Sequence, residues 1–279
     1  MMHLEFSDSG VSFYHGDKLA GLYRHNDEFK PHIHPLRTPL GHGVTSVSPH
    51  DHKHHKALMY ALRVDGVNFW EEFPTLPDEL TGRQKHIEFF DVVADGAEIG
   101  FTEKLHWSAI DGSRPCFDEV RRITCRYENG EYVWNWKTRL TALRPLRLIQ
   151  SQWSHPLADG SKVNYHGLAI RFRRDMAGAL GGATRGTELR LDGKATTGVP
   201  IEHMGSRPKE VTYIGSIDET WPVAMAGVSV RQEKDHALYV LDAPFAFIAL
   251  GPTNAGGFDL GKAEILEDSF TIRVFDVKP

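Results

Sequence analysis

Dipeptides that favour tight turns recur along the chain and constrain its fold more than any other feature. Asp-Gly occurs at 65–66, 95–96, 111–112, 159–160 and 192–193, and Asn-Gly occurs at 129–130. Such pairs supply the positive φ angles that two-residue hairpin turns require. Because strand-like sequence flanks these pairs, the pattern predicts many short antiparallel strands joined by hairpins.

The clearest hairpin covers residues 120–140, with the sequence VRRITCRYENGEYVWNWKTRL. On its second arm Tyr132, Trp134 and Trp136 share one face, because side chains alternate between the two faces of a sheet. Further strands are predicted at 56–70, 85–107, 163–173, 210–216, 225–232, 237–241, 245–249 and 263–276.

Helical patterns are scarce. Only residues 74–84 favour a short helix, and the Gly-rich stretch 175–190 is predicted to be a loop. No repeat or linker divides the chain. The sequence therefore predicts one all-β domain over residues 1–279, a large antiparallel β-sandwich or supersandwich.

Composition limits the partners that we expect. The formal net charge is −5, so the chain has no basic footprint for nucleic acid. The longest apolar runs, such as 243–250, are far shorter than the roughly 18 residues of a membrane span. The two cysteines, Cys116 and Cys125, form no disulfide framework, and no signal peptide is recognisable. We expect a cytoplasmic protein without a nucleic-acid or membrane partner.

Histidine is concentrated in one segment. Eight of the 16 histidines lie between residues 25 and 55, where an even spread would give about two. Four of them, His50, His52, His54 and His55, lie in SPHDHKHHKAL at 48–58. Prolines and glycines interrupt the surrounding sequence, which predicts a loop, and loops held by a rigid sheet are where binding and catalytic groups concentrate.

The spacing of these histidines leaves several chemistries open. If residues 50–55 are extended, His50, His52 and His54 project from one face; if they turn helically, His50 meets His54 as in a zinc pair. The segment then has a structural role, forms a cleft wall for acid–base chemistry, or binds a catalytic metal through His50, His52 and His54. In the metal hypothesis the cofactor is Zn²⁺, Mn²⁺ or Fe²⁺.

A later strand adds a candidate from a distant part of the chain. Residues 163–175 place His166 on an apolar face and Arg171 on the opposite face, beside Gly167 and Ala169. Small neighbours leave room above a sheet for a ligand, and a guanidinium can hold a sugar oxygen or a carboxylate. The histidines that we expect to contact a substrate are His34, His42, His50, His86 and His166.

Residues 34–70 resemble the hallmark of a bacterial family labelled methane oxygenase, PmoA. The shared pattern is T-P-x-G at 38–41, D-H-x-H-H at 51–55, a small residue and Leu at 57–58, and G-x-x-F-W at 66–70. Weaker matches lie at 165–172 and 245–252. The chain departs from the pattern at Ala57, where Gly is commoner, and at His166, where a second Gly is expected.

The label itself conflicts with the sequence, because a particulate methane oxygenase subunit is a membrane protein and this chain has no membrane-length apolar segment. What the resemblance implies is a galactose-mutarotase-like supersandwich. That fold is rich in carbohydrate epimerases, lyases and sugar-binding domains, which use cleft His, Arg and Glu side chains on small-molecule sugars.

The function that we expect is carbohydrate processing by an epimerase, lyase or hydrolase acting on a sugar or an oxidised sugar. His52, His54 and His55 would line the cleft as acid–base groups, Asp51 would orient a neighbouring imidazole, and Arg171 would hold a sugar oxygen or carboxylate. Two alternatives are a metal-dependent hydrolase or oxygenase with histidine ligands, and a non-catalytic sugar-binding module.

Overall fold

A computed structural model describes residues 1–178 and 186–278, and strands make up most of it. The loop predicted at 175–190 lies in part outside these residues. The strands are β1 (Met2–Ser7), β2 (Gly10–His15), β3 (Lys18–Arg24), β4 (His32–Leu36), β5 (Leu58–Ala61), β6 (Arg63–Val64), β7 (Val67–Asn68), β8 (Leu80–Val93), β9 (Asp95–Gly96), β10 (Glu98–Ala109), β11 (Phe117–Glu128), β12 (Glu131–Ala142), β13 (Leu146–Leu148), β14 (His155–Pro156), β15 (Lys162–Val163), β16 (Gly167–Arg171), β17 (Glu188–Leu191), β18 (Lys194–Ala195), β19 (Glu210–Ile217), β20 (Ala224–Gln232), β21 (Leu238–Leu241), β22 (Phe247–Leu250), β23 (Phe258–Leu260) and β24 (Ile265–Asp276). Two short 3₁₀ turns cover Arg174–Met176 and Pro200–His203.

Two large sheets contain nearly all of these strands. The nine-stranded sheet has the order β21-β22-β16-β5-β4-β3-β2-β1-β9. The thirteen-stranded sheet has the order β18-β17-β19-β20-β24-β12-β11-β10-β8-β7-β6-β13-β23. Paired strands are antiparallel apart from β7 and β8, which run parallel. The prediction of an all-β fold with large antiparallel sheets is confirmed.

The hairpin dipeptides act as the sequence predicts. Asn129 and Gly130 join β11 to β12 with φ angles of 55° and 86°, the left-handed pair that a type I′ turn requires. On β12, Trp134 and Trp136 are buried between the sheets. Trp134 packs against Phe13 of β2 with ring centroids 4.7 Å apart, so the main hydrophobic core joins the two sheets.

The opposite face of the nine-stranded sheet carries a second apolar cluster. Its members are Met59, Ala61, Trp70, Ala169, Phe245, Phe247 and Ala249. Several of them alternate with main-core residues on the adjacent strands β5, β16 and β22, so this cluster lies on the outer side of the sandwich. Chain segments between the strands cover it, and those segments carry the polar groups described below.

The short helix predicted at 74–84 is wrong. The Glu79 carboxylate accepts hydrogen bonds from the backbone N–H groups of Thr75 and Leu76, at 2.7 and 3.3 Å, which forms a tight turn. From Leu80 onward the chain joins β8. Pro74 and Pro77 cannot donate backbone hydrogen bonds, so a helix here would be poorly supported.

Within the described ranges, no helix has the length and apolar character needed to span a membrane.

Candidate functional site

The histidine-rich segment is a closed loop that lies over the second apolar cluster. Val47 and Lys56 form an isolated β-bridge at its base. Inside it, His52 N donates to Pro49 O at 3.1 Å and His55 N donates to His52 O at 3.0 Å. The loop therefore consists of two successive tight turns. Neither the extended nor the helical conformation considered from the sequence is present. The two turns group His52, His54 and His55.

Arg171 of β16 connects this loop to the sheet. Its Nη2 donates to Asp51 Oδ2 at 2.6 Å, and its Nη1 donates to His55 Nδ1 at 3.1 Å. The guanidinium carbon lies 3.8 Å from the centre of the Phe245 ring. The Arg171 side chain is only 6% exposed. Two of its nitrogens are therefore engaged inside the protein, which leaves little of the guanidinium for the sugar oxygen or carboxylate expected there.

Asp51 also bonds to its neighbour in sequence. His52 Nδ1 lies 3.2 Å from Asp51 Oδ2, and because a carboxylate only accepts, Nδ1 carries the proton. In the neutral ring Nε2 is then a free acceptor. Burial tends to raise the pKa of Asp51, but the bonds from Arg171 and His52 outweigh it and lower this pKa to about 2. Asp51 is thus a fixed anion beside a partly exposed imidazole.

His55 and His54 are held neutral. A guanidinium only donates, so the Arg171 bond fixes His55 Nδ1 as an acceptor and leaves the proton on Nε2. Burial lowers the pKa of His55 well below its usual value, and the nearby His54, His52 and Arg171 lower it further. Burial, together with Lys30, His52 and Arg171, lowers the pKa of His54 to about 3. Both rings carry no charge at neutral pH, and His55 has its Nε2–H left as a hydrogen-bond donor.

The imidazoles are part of an aromatic stack. His52 stacks on His55 with centroids 4.6 Å apart, and His55 stacks on Phe247 at 5.0 Å. These rings form one wall of a cleft with a volume of about 460 Å³, within the usual range of small-molecule sites. The cleft is lined by Asp51, His52, His54, His55, Phe73, Trp153, Tyr165, Tyr239, Phe245 and Phe247. It is mainly aromatic, and its carboxylate and imidazoles belong to the loop.

A second cavity, of about 400 Å³, adjoins the loop. It is lined by Phe29, His50, Asp51, His52, Lys53, His54, Glu71, Glu72 and Phe73. Glu71 is buried, and its Oε1 accepts hydrogen bonds from the Tyr165 hydroxyl at 3.0 Å and the Ser151 hydroxyl at 3.2 Å. Burial raises the pKa of Tyr165, and the Glu71 charge raises it further, so its hydroxyl stays protonated.

Of the histidines expected to contact a substrate, only His50 lines either cavity, and its Nδ1 accepts a hydrogen bond from Arg174 at 3.0 Å. His34 bonds to Thr45, and His42 lies 3.9 Å from Asp276. Burial lowers the pKa of His34 to about 4. The structure does not bring His34 and His42 to the cleft.

The other two expected substrate contacts also lie elsewhere. His86, on the thirteen-stranded sheet, bonds to the buried Glu103 at 2.6 Å. His166 is fully buried, with its ring centroid 5.2 Å from that of Trp70. Burial lowers its pKa well below the usual value, and Arg63 adds to this effect. The neighbouring Gly167 does not leave room for a ligand above the sheet, as its small size had suggested. A Cβ at this position would lie 2.4 Å from the Gly251 Cα, so glycine is needed here for the close packing of two backbones.

The metal hypothesis requires His50, His52 and His54 to converge. Among residues 1–178 and 186–278, no group of three or more His, Cys, Asp or Glu side chains has an arrangement that could hold a metal ion. His50 Nδ1 is bound by Arg174 and His52 Nδ1 by Asp51. Both Nδ1 atoms are therefore hydrogen-bonded to protein groups and are not free to bind a metal ion.

Sequence reasoning missed several groups around the cleft. Trp153, Tyr239 and Phe245 come from segments far from the histidine loop. No local pattern marks Trp153 or Tyr239, and the weak match that begins at Phe245 does not point to the cleft. Glu71 directly follows the G-x-x-F-W motif at 66–70, and this position is the sequence feature that could have identified it as a site residue.

Comparisons with known proteins give a family and distant structural similarities. The model of a family described as "Family of unknown function (DUF6807)" matches residues 10–279. Among curated protein sequences, none matches.

Three solved structures illustrate the structural similarities. A heparan sulfate lyase from Pedobacter heparinus is 9% identical, with a TM-score of 0.35 over 100% of this chain and 35% of its own. An alpha-galactosidase from Lactobacillus brevis is 9% identical, with a TM-score of 0.34 over 98% of this chain and 39% of its own. A galactose mutarotase related enzyme from Lactobacillus acidophilus is 9% identical, with a TM-score of 0.31 over 100% of both chains. This chain therefore spans well under half the length of the first two proteins.

Proposed function

The chain belongs to the family of unknown function DUF6807, and we propose that it is a carbohydrate-processing enzyme in which Asp51 and His52 form an acid–base pair. The observation that carries this proposal is the double engagement of Asp51 Oδ2, which accepts from Arg171 at 2.6 Å and from His52 at 3.2 Å. It fixes the His52 tautomer and leaves Nε2 as the acceptor of a substrate proton.

In the proposed reaction His52 Nε2 takes a proton from a sugar hydroxyl or from a carbon next to a carbonyl. The imidazolium formed is stabilised by the Asp51 carboxylate, which stays ionised because its pKa is about 2. Proton removal of this kind is the shared first step of epimerisation and β-elimination, and it also activates a hydroxyl for hydrolysis.

Five further residues support the pair. Arg171 acts as a positioning residue, because it touches Asp51 and His55 and is nearly buried. His54 and His55, both neutral, serve as hydrogen-bond partners for sugar hydroxyls. The aromatic faces of Trp153 and Phe73, which are 53% and 49% exposed, give a pyranose ring surfaces on which to stack.

The experiment that tests the proposal is incubation of the protein in D₂O with a panel of sugars and keto-sugars, followed by proton NMR. Exchange, epimerisation, elimination or hydrolysis of one substrate, lost in His52→Ala, supports the acid–base pair. Sugar binding without any turnover favours the non-catalytic module. Turnover abolished by EDTA and restored by one divalent metal favours the metal-dependent alternative.

A further inference from the structure

Two cavities share one wall, and the proposed base belongs to that wall. Asp51, His52, His54 and Phe73 line both the 460 Å³ cleft and the 400 Å³ cavity. The remaining linings differ in character. The cleft has His55, Trp153, Tyr165, Tyr239, Phe245 and Phe247, whereas the second cavity has Phe29, His50, Lys53, Glu71 and Glu72. The acid–base pair therefore lies between two compartments.

Glu71 is the carboxylate of the second cavity that lacks a cation. Asp51 is bound by Arg171, and Glu72 pairs with Lys30 at 2.9 Å and with Lys56 at 3.6 Å. In the described part of the chain no Lys, Arg or His lies within ion-pair distance of Glu71. Its Oε1 accepts from Tyr165 and Ser151, but its buried Oε2 has no hydrogen-bond partner.

An unpartnered buried carboxylate oxygen is costly, because the group has lost its water and gained nothing in return. Native proteins rarely keep such an atom unless a ligand or solvent completes it. A sugar hydroxyl is a donor of suitable size. The aromatic ring of Phe29, which lines the same cavity, offers a face for the apolar side of that sugar.

We infer that the cavity around Glu71 and Phe29 is a second sugar subsite, so that the substrate is a disaccharide or larger glycoside spanning both cavities with His52 at their boundary. This inference rests on the proposed function. Glu71 Oε2 accepts a hydrogen bond from a hydroxyl of the second sugar, while the first sugar lies in the aromatic cleft.

The test measures binding by isothermal titration calorimetry with His52→Gln protein, which lacks the proposed base. The probes are glucose and galactose against cellobiose, lactose and maltose. We expect at least one disaccharide to bind about tenfold or more tightly than its component monosaccharides, because a hydrogen bond to a buried charged group contributes that much. Glucosamine serves as an extra probe: tighter binding than glucose through Glu71 would identify an ammonium donor and overturn the assignment to a hydroxyl.

Variants show which of the two cavities causes the tighter binding of a disaccharide. Glu71→Gln puts an amide in place of the free oxygen and should remove most of the disaccharide gain while leaving monosaccharide binding unchanged. Trp153→Ala, which changes only the aromatic cleft, should weaken both sugar classes. Phe29→Leu tests the same cavity should Glu71→Gln fail to fold. Glu267→Gln, an exposed carboxylate bound by Arg139 at 2.9 Å on the other sheet, is the control.

The second subsite is overturned if no disaccharide binds more tightly than its monosaccharides, or if the gain survives both Glu71→Gln and Phe29→Leu. That result leaves the proposed chemistry intact, because turnover of a monosaccharide would still depend on His52. Conversely, disaccharide binding through Glu71 with no turnover by the wild-type protein sustains the subsite and defeats the enzymatic proposal.

Discussion

Arg171 Nη2 donates a 2.6 Å hydrogen bond to Asp51 Oδ2, although the two residues lie 120 positions apart. This bond joins the histidine loop to the floor of the nine-stranded sheet, and the Phe245 face covers the guanidinium. Removing one partner of a buried ion pair leaves the other charge poorly solvated. The pair therefore connects the loop to the fold through a nearly buried guanidinium.

Arg171→Met should lower the free energy of unfolding by about 3 kcal/mol, at the low end for buried pairs because Asp51 is 28% exposed. Urea denaturation measures the loss. The matched control is Arg139→Met, which removes an exposed pair with Glu267 and should cost less than about 1 kcal/mol. Equal losses in the two variants would show that the Arg171–Asp51 pair stabilises the fold no more than an exposed ion pair does.

His52→Ala should reduce turnover by about 10²- to 10⁴-fold, the usual contribution of a general base, without unfolding the protein, because the ring is 36% exposed. Asp51→Asn should reduce turnover as well, since an amide cannot stabilise the imidazolium.

The chain supplies a control of the same chemistry. His106 bonds to Asp118 at 2.8 Å on the thirteen-stranded sheet, with similar exposure of the histidine. His106→Ala should leave steady-state rates unchanged. Wild-type rates in His52→Ala would rule out this imidazole as the base.

Much of the fold could be predicted because its signals are local. The Asn129-Gly130 pair sets its own turn geometry, and the alternation of Trp134 and Trp136 with polar residues marks one buried face. The segment 74–84 was misread because Glu79, five residues after Pro74, closes a turn with backbone N–H groups through its side chain. Propensity does not record such a contact.

Only part of the site could be predicted, because some of its contacts join residues that are distant in sequence. The crowding of His52, His54 and His55 is a local signal, and so is the position of Arg171 beside small residues on its strand. Glu71 contacts Tyr165 across 94 positions, and no local sequence pattern records a contact at that separation. The face that the histidines share was also not predictable, because the turns that follow Pro49 abolish the alternation of a strand.

Acid should destabilise the protein well above the range in which carboxylates titrate. The unfolded chain protonates His54 near the ordinary pKa of 6.5, whereas burial and the nearby Lys30, His52 and Arg171 keep the folded pKa at about 3. The unfolded state therefore binds more protons between these values. The stability that neutral, buried His54 contributes is fully present above about pH 6.5 and is lost as the pH falls towards 3.

Urea unfolding at about pH 7.5 and about pH 5.5 measures this effect. His54→Asn should reduce the difference between the two free energies of unfolding by about 1.4 kcal/mol, the value of one proton over one pH unit. The exposed His106→Asn serves as the reference. An unchanged difference in His54→Asn would show that His54 is protonated equally in both states.

Ala57 ends the histidine loop with a φ of 58°, in the left-handed region that favours glycine. Its carbonyl accepts the Arg171 N–H at 2.9 Å, so this backbone conformation is fixed by the sheet. An L-residue pays roughly 1–2 kcal/mol for it. In Ala57→Gly, relief of this strain should offset the lost methyl burial and the added chain entropy, so the free energy of unfolding should change by less than about 1 kcal/mol.

Ala61→Gly is the contrasting variant, since Ala61 is equally buried but extended in β5. It gains no relief of strain and should lose about 1–2 kcal/mol. Thermal and urea denaturation of the two variants give the comparison. The same loss at both positions would mean that Ala57 carries no backbone strain.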